Sequence, residues 1–207
     1  MGMFVTLGPG TNHERVARAY LAFHRQPPTA LRCVASAEDG ARQVIDGAAD
    51  YLILCSVHPD AAAITGRHYR VLFAMDAFIS ASKPLAILTR RDVRTPRRLG
   101  LFKPTRDYAD SAAWTEVVEE TEGSIVTVWN RLLAGDYDSA LVYLDYAAER
   151  PDLVRVAQTL GSPDDTWIVF GRERASGGRL LACADSAVAR RLEATASAPP
   201  ASCRPAR

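Results

Sequence analysis

Residues 3–23 read MFVTLGPGTNHERVARAYLAF, and residues 36–56 read SAEDGARQVIDGAADYLILCS. In the first stretch a short apolar strand meets a Gly-Pro-Gly turn. Thr11 and Glu14 then show the T-x-x-E spacing of a capping box, which opens a helix. In the second, Ser36 can cap a helix with Ala41, Val44 and Ile45 on one face, and Gly47 stops it. The run that follows, DYLILCS, is continuously apolar, as in a parallel strand covered on both faces. The pattern returns in residues 98–114, RLGLFKPTRDYADSAAW, and 122–144, EGSIVTVWNRLLAGDYDSALVYL. A β-α-β-α-β succession met twice predicts an α/β protein of two Rossmann-like lobes with a ligand cleft between them. Each lobe offers a helix N-terminus to that cleft, where backbone N–H groups suit a small anion.

Working outward, residues 1–88 plus 168–195 are assigned to the first lobe and 89–167 to the second. Residues 196–207 belong to a small, Pro-rich stretch that reads as a disordered tail. The first helix should bury Val16, Ala19, Tyr20 and Phe23, and the helix from Ser124 should bury Ile125, Val128, Trp129, Leu132 and Leu133. Strands are expected at 31–36, 69–80, 84–90, 115–120, 154–160 and 165–174, and a strand then a helix over 180–196. Arg90, Arg91, Arg94, Arg97 and Arg98 form a basic stretch, read as a solvated hinge-side loop with an anion patch as the alternative.

The net charge of +1 gives no long-range field for nucleic acid or a membrane surface. No apolar run reaches the roughly 18 residues of a membrane span. The start of the chain lacks a basic segment followed by an apolar one, so a cytoplasmic location is expected. Cys33, Cys55, Cys183 and Cys203 show no C-x-x-C or zinc spacing. The first two should be core residues, and no metal and no cofactor are expected. A homodimer is compatible with the sequence, which does not itself give the oligomeric state.

In order and spacing, residues 3–174 resemble the catalytic region of the prephenate dehydratase family. VTLGPGTNHERVARAYL looks like that family's G-P-x-G-T-F-S opening, one loop residue shorter and with Asn12-His13 for Phe-Ser. RQVIDGAADYLILCS is similar to its helix–Gly-x-x-Asp-Tyr–strand step, with CSVHP in place of P-E-N-S. GSIVTVWNRLLAGDYDSALVYL looks like its S-T-x-x-A-A helix and following strand, and DDTWIVFGRE occupies the place of T-R-F-L-V-I-G. The resemblance implies a two-lobed fold like type 2 periplasmic binding proteins, with the ligand between the lobes and no regulatory ACT domain in this chain.

The resemblance also names site residues. Counting back from Gly171 puts Asp165, Thr166 and Trp167 in the Thr, Arg and Phe slots, and a shift of one would place Thr166 in the Thr slot. Neither register restores the Arg. A Trp there, followed by Phe-Gly, looks more like the prephenate decarboxylases of the bacilysin pathway, which the resemblance implies release CO2 without aromatising the ring. His13, at a helix start where the dipole lowers its pKa, is the candidate acid; the alternative is an exposed first-turn residue. Thr11 and Asn12 offer groups for a carboxylate, and Ser56 and His58 lie at a strand C-terminus, where open α/β sheets bind ligands. Lys103, Thr105 and Arg106 occupy the slot of the family's S-H-P loop, and Arg can grip a carboxylate bidentately. Lys83 is a further candidate cation, and Trp167 could cap an apolar ring.

The expected function is that of a lyase acting on a small anionic cyclic carboxylate such as prephenate, decarboxylase-like, in specialised metabolism. A stand-alone dehydratase, a relative acting on another ring in a tropone-type pathway, and a non-catalytic anion sensor are the alternatives.

Overall fold

The computed structural model describes residues 2–196; residues 197–207, with Cys203 and most of the expected disordered tail, lie outside the described residues. Two five-stranded sheets organise the chain up to Ala175. The first contains β1 (Phe4–Leu7), β2 (Leu31–Val34), β3 (Tyr51–Cys55), β4 (Phe73–Ala81) and β10 (Asp164–Gly171). Its order is β2-β1-β3-β10-β4, with β1, β2 and β3 parallel and β10 antiparallel to both its neighbours. The second contains β5 (Leu85–Arg90), β6 (Arg98–Phe102), β7 (Glu116–Glu120), β8 (Ser139–Tyr143) and β9 (Val154–Gly161). Its order is β7-β6-β8-β5-β9, with the same three parallel strands followed by an antiparallel one. The doubled pattern of the sequence is thus a doubled topology, and the expected two-lobed α/β architecture is present.

The helices are α1 (Asn12–Phe23), α2 (Ala37–Ile45), α3 (Ala61–His68), α4 (Ile125–Ala134), the one-turn α5 (Tyr146–Glu149) and α6 (Ala187–Ala196). Thr11 caps α1 by accepting from the Glu14 N–H, while the Glu14 carboxylate accepts from the Gly10 N–H at 2.8 Å. Ser36 caps α2 and Ser124 caps α4, as their sequence positions imply. Gly135 ends α4 with φ +91°, a conformation that disfavours any side chain.

Leu52 and Leu54 pack on one face of the first sheet with α2 and α3, and Ile53, Trp167 and Val169 on the other with α1. In the second sheet Leu99, Leu101, Ala140 and Val142 pack with Val128, Trp129 and Leu132 of α4. Trp114 packs against this core, its indole nitrogen buried without a hydrogen-bond partner among the described residues.

Several details differ from the sequence reading. The chain changes sheet at 82–84 and 162–163, because β5 belongs wholly to the second sheet and β10 wholly to the first, whereas the assigned changes fell at 88/89 and 167/168. Helix α1 buries Val16, Ala17 and Leu21; its contact face is turned away from Phe23, which is 82% exposed. Residues 61–68 form a helix with no counterpart in the sequence reading, so β4 starts at Phe73 rather than 69. Cys33 is half-buried on β2, the edge strand, while Cys55 is buried.

The basic stretch after β5 lies at the end of that strand remote from the crossing, so it is not beside the hinge. Three of its arginines are spent locally, Arg90 on Asp92, Arg91 on the Pro151 and Val154 carbonyls, and Arg98 on Glu116. The described residues from Ser176 onward form a separate unit, in which residues 180–184 are not a strand and α6 follows, opened by Ser186 accepting from the Ala189 N–H.

Candidate functional site

A cavity of about 540 Å³ opens between the two sheets, at the C-terminal ends of β1, β3, β6 and β8. This is where the strand-end rule for open α/β sheets puts a ligand. The opening loop of the first lobe contributes Gly8, Thr11, Asn12 and His13, and that of the second contributes Phe102, Pro104, Thr105 and Tyr108. The starts of α1, α2 and α4 all border it, so several first-turn N–H groups lie near its wall.

Strand alternation decides which residues of β10 reach the cavity. Asp165 and Trp167 are buried on one face, and the exposed Thr166 between them points to the other. Both Asp165 and Trp167 line the cavity; Thr166 does not, and its hydroxyl instead bonds that of Ser56, which is also outside. Trp167 is fully buried, with its indole N–H donating to the Ser80 carbonyl at 3.4 Å. It backs the wall and presents no free face to cap a ligand ring.

His13 stands edge-on to Trp167, with ring centroids 5.1 Å apart, and to His58 at 5.4 Å. Its Nε2 accepts a hydrogen bond from the Cys55 backbone N–H at 3.3 Å, which leaves Nδ1 as the protonated nitrogen. Burial, and then the neighbouring His58, hold its pKa down to about 3. The direction agrees with the sequence reading; the cause is desolvation rather than the helix dipole. A neutral ring whose basic nitrogen is already used is a hydrogen-bond donor through Nδ1 and a poor acid, which argues against the role first assigned to it. Burial also lowers His58, which lines the cavity and accepts from the Asp60 N–H at 3.2 Å.

Asn12 is committed to holding the site together. Its Nδ2 donates to the Ser82 hydroxyl at 2.6 Å, and its Oδ1 accepts from the Lys83 N–H at 3.1 Å and from Arg15. Its backbone N–H donates to the Tyr143 hydroxyl across the cleft at 3.2 Å. Ser82 in turn donates to the Asp165 carboxylate. Thr11 lines the cavity, but its hydroxyl donates to the Gly8 carbonyl at 2.7 Å.

The cations fall differently from the sequence reading. Lys103 is exposed and Arg106 pairs with Glu119 at 3.2 Å, and neither lines the cavity; the short helical turn from Lys103 to Tyr108 turns Thr105 inward instead. Thr105 there donates to the Phe102 carbonyl at 2.8 Å. Among the described residues that line the cavity, Lys83 is the sole Lys or Arg. Its Nζ lies 2.6 Å from Asp145 and 4.6 Å from the centre of the Tyr143 ring.

Ser82, Tyr108, Tyr143 and Ser124 line the cavity and were not singled out as ligand-facing in the sequence. Burial pushes the Tyr143 phenol up to about 12 and raises Tyr108, so both keep their protons near neutrality. Two signals were available. Ser82 and Lys83 sit where the chain passes between lobes, and Tyr143 ends a buried strand just as Cys55 does. Among the described residues, no group of three or more His, Cys, Asp or Glu side chains is arranged to hold a metal ion, and no helix is long and apolar enough to cross a membrane.

No protein-family model and no curated protein matches the sequence. Solved structures do match. A prephenate dehydratase from Arthrobacter aurescens, solved with L-Phe, aligns with TM-score 0.58 and 18% identity over 86% of this chain and 62% of that one. An ABC transporter protein from Parabacteroides distasonis aligns with TM-score 0.52 and 15% identity, over 82% of this chain and 65% of that one. The quorum-quenching acylase GqqA gives 0.50 and 13%, over 83% and 64%. The chain therefore spans less than two thirds of each of these proteins. The likeness shows the fold, which is of the type 2 periplasmic-binding-protein kind.

Proposed function

We propose that this chain takes a small cyclic carboxylate into the cleft between its lobes and acts on it as a lyase, by decarboxylation rather than dehydration. The observation that carries this reading is a cavity with a cation and a helix start on one side and no protonated imidazole on the other. Lys83 and the first turn of α4 suit a carboxylate. Dehydration that aromatises a ring must expel hydroxide, which calls for an acid with a pKa near the working pH. With His13 held at about 3 and His58 also lowered, neither ring is charged at pH 7. Asp165, buried beside Ser82, falls in the slot of the dehydratases' Thr when the strand is counted back from Gly171, and Thr166 does so when the count is shifted by one.

Loss of CO2 needs no such acid. The bond between the ring carbon and the carboxylate carbon breaks, and its electron pair passes into the ring double bonds. A proton from water or from the Tyr108 phenol then adds to a ring carbon, and the ring hydroxyl stays in place. A cytoplasmic location and a place in specialised metabolism go with this reading.

Incubation with prephenate tests it. The expected result is CO2 release with no phenylpyruvate, followed by ring absorbance; phenylpyruvate as product would overturn the decarboxylase reading. A second reading, a clamp that binds such an anion without converting it, is favoured by His13 Nε2 and Asn12 being engaged within the protein. Thermal stabilisation by prephenate without turnover would select it.

A further inference from the structure

We infer that a second copy of this chain pairs with the free edge of β4, strand to strand and antiparallel, about a two-fold axis at Ile79.

β4 ends the first sheet, and among the described residues no strand lies on its side away from β10. It is nine residues long and carries one charged side chain, Asp76. Exposed edges are commonly kept apart by short length, by lysines or by proline, and this one has none of the three. Ile79 on it is 74% exposed.

The chain crossing tells which backbone groups face outward. The Ser82 N–H donates to the Pro163 carbonyl, so Ser82 and, by alternation, Ser80 and Phe78 turn their N–H and C=O groups toward β10. Ala77, Ile79 and Ala81 turn theirs to the open side. Two of these outward groups are already filled. The Asp76 carboxylate accepts from the Ala77 N–H at 2.8 Å, and Arg15 donates to the Ala81 carbonyl. The Ala77 carbonyl, both groups of Ile79 and the Ala81 N–H are left to bond outward.

These groups complement themselves in one register. In an antiparallel pair centred on Ile79, the two Ile79 residues exchange both their bonds, and Ala77 of each copy faces Ala81 of the other. The free Ala81 N–H then meets the free Ala77 carbonyl on either side of the axis. The filled Ala77 N–H faces the filled Ala81 carbonyl, which sets Asp76 of one copy against Arg15 of the other. Centring the pair on Ala77, Phe78, Ser80 or Ala81 instead puts a filled group against a free one. The charges agree with the register. Among the described residues Asp76 forms no ion pair and bonds only the Tyr20 hydroxyl and the Ala77 N–H, and Arg15 meets no carboxylate and bonds Asn12 Oδ1 and the Ala81 carbonyl. Each finds its counter-charge on the second copy.

The test is sedimentation velocity of the full chain from low to high micromolar concentration. The wild type should dimerise, and more weakly as salt screens the Asp76–Arg15 pairs. Ile79→Lys and Ile79→Glu change an exposed side chain and should each weaken the dimer at least ten-fold, because like charges then meet at the axis. An equimolar mixture of the two variants should recover it, because opposite charges then meet there. Should either variant fail to fold, amide hydrogen exchange of the wild type still decides: the Ile79 and Ala81 N–H groups should exchange more slowly as the chain is concentrated.

A wild type that stays monomeric, a dimer indifferent to Ile79→Lys, or a mixture no tighter than its components overturns the pairing. So does exchange at Ile79 and Ala81 that ignores concentration.

Discussion

The His13 ring is packed against Trp167 and His58 with its Nε2 turned to the Cys55 amide, and its pKa falls from 6.5 to about 3 on folding. Above pH 6.5 the ring is neutral in both states and contributes nothing to pH dependence. Between the two values the unfolded chain binds a proton that the folded chain refuses, so stability declines as pH falls through that window. From pH 7 to pH 5 the loss from this ring alone should be about 2 kcal/mol. His13→Gln keeps an acceptor for the amide and removes the titration. Its urea-unfolding free energy should therefore lose about 2 kcal/mol less than the wild type between those pH values, and an equal loss in both would refute the assignment. The same residue marks a boundary of sequence reading. Its position at the start of a helix was legible; the depth at which a partner strand and a tryptophan bury it was not. Lys103 and Arg106 erred the opposite way, since a loop slot names a place along the chain while a short helical turn decides which side chains face inward.

Caps, glycine stops and apolar faces placed most helices and strands, because those signals are local. Thr11 illustrates how much one of them carries: its hydroxyl accepts from the Glu14 N–H and donates to the Gly8 carbonyl, joining the helix start to the preceding loop. Thr11→Ala should cost about 1 kcal/mol by chemical denaturation and Thr11→Ser much less; equal losses would mean that the methyl contact, not the cap, matters. Strand β7 formed despite three glutamates in EVVEE, because as an edge strand it leaves alternate positions to solvent. Helix α3, AAAITGRH, escaped notice since it has few large apolar residues and its Asp60 cap makes no side-chain bond. On β10 the sequence left two registers open, and in either of them the pleat puts Asp165 and Trp167 on one face and Thr166 on the other.

At the scale of the molecule, two sheets of matching order were legible because their repeat survives in the sequence, while the cleft between them depends on side chains from many separate segments. The tryptophans divide cleanly, with Trp167 in the first lobe and Trp114 and Trp129 in the second. A Trp114→Phe/Trp129→Phe double variant thus reports on one lobe by fluorescence, and Trp167→Phe reports on the other. A ligand that bridges the lobes should raise both urea midpoints, corresponding to about 2.7 kcal/mol at a hundred times its Kd; prephenate moving only one midpoint would place it on a single lobe. The two chain crossings lie side by side, with the Ser82 N–H donating to the Pro163 carbonyl at 2.8 Å, and the second lobe is nested within the first. During synthesis, every strand of the second sheet has emerged by Gly161, whereas the first sheet still lacks the strand that separates β3 from β4. The ribosome therefore delivers the later lobe complete while the earlier one waits with an unfilled slot, its Leu52–Cys55 edge unpaired on that side, until residue 171 is made. For a growing chain of this fold, the end of β10 is the point at which the first domain can finally close.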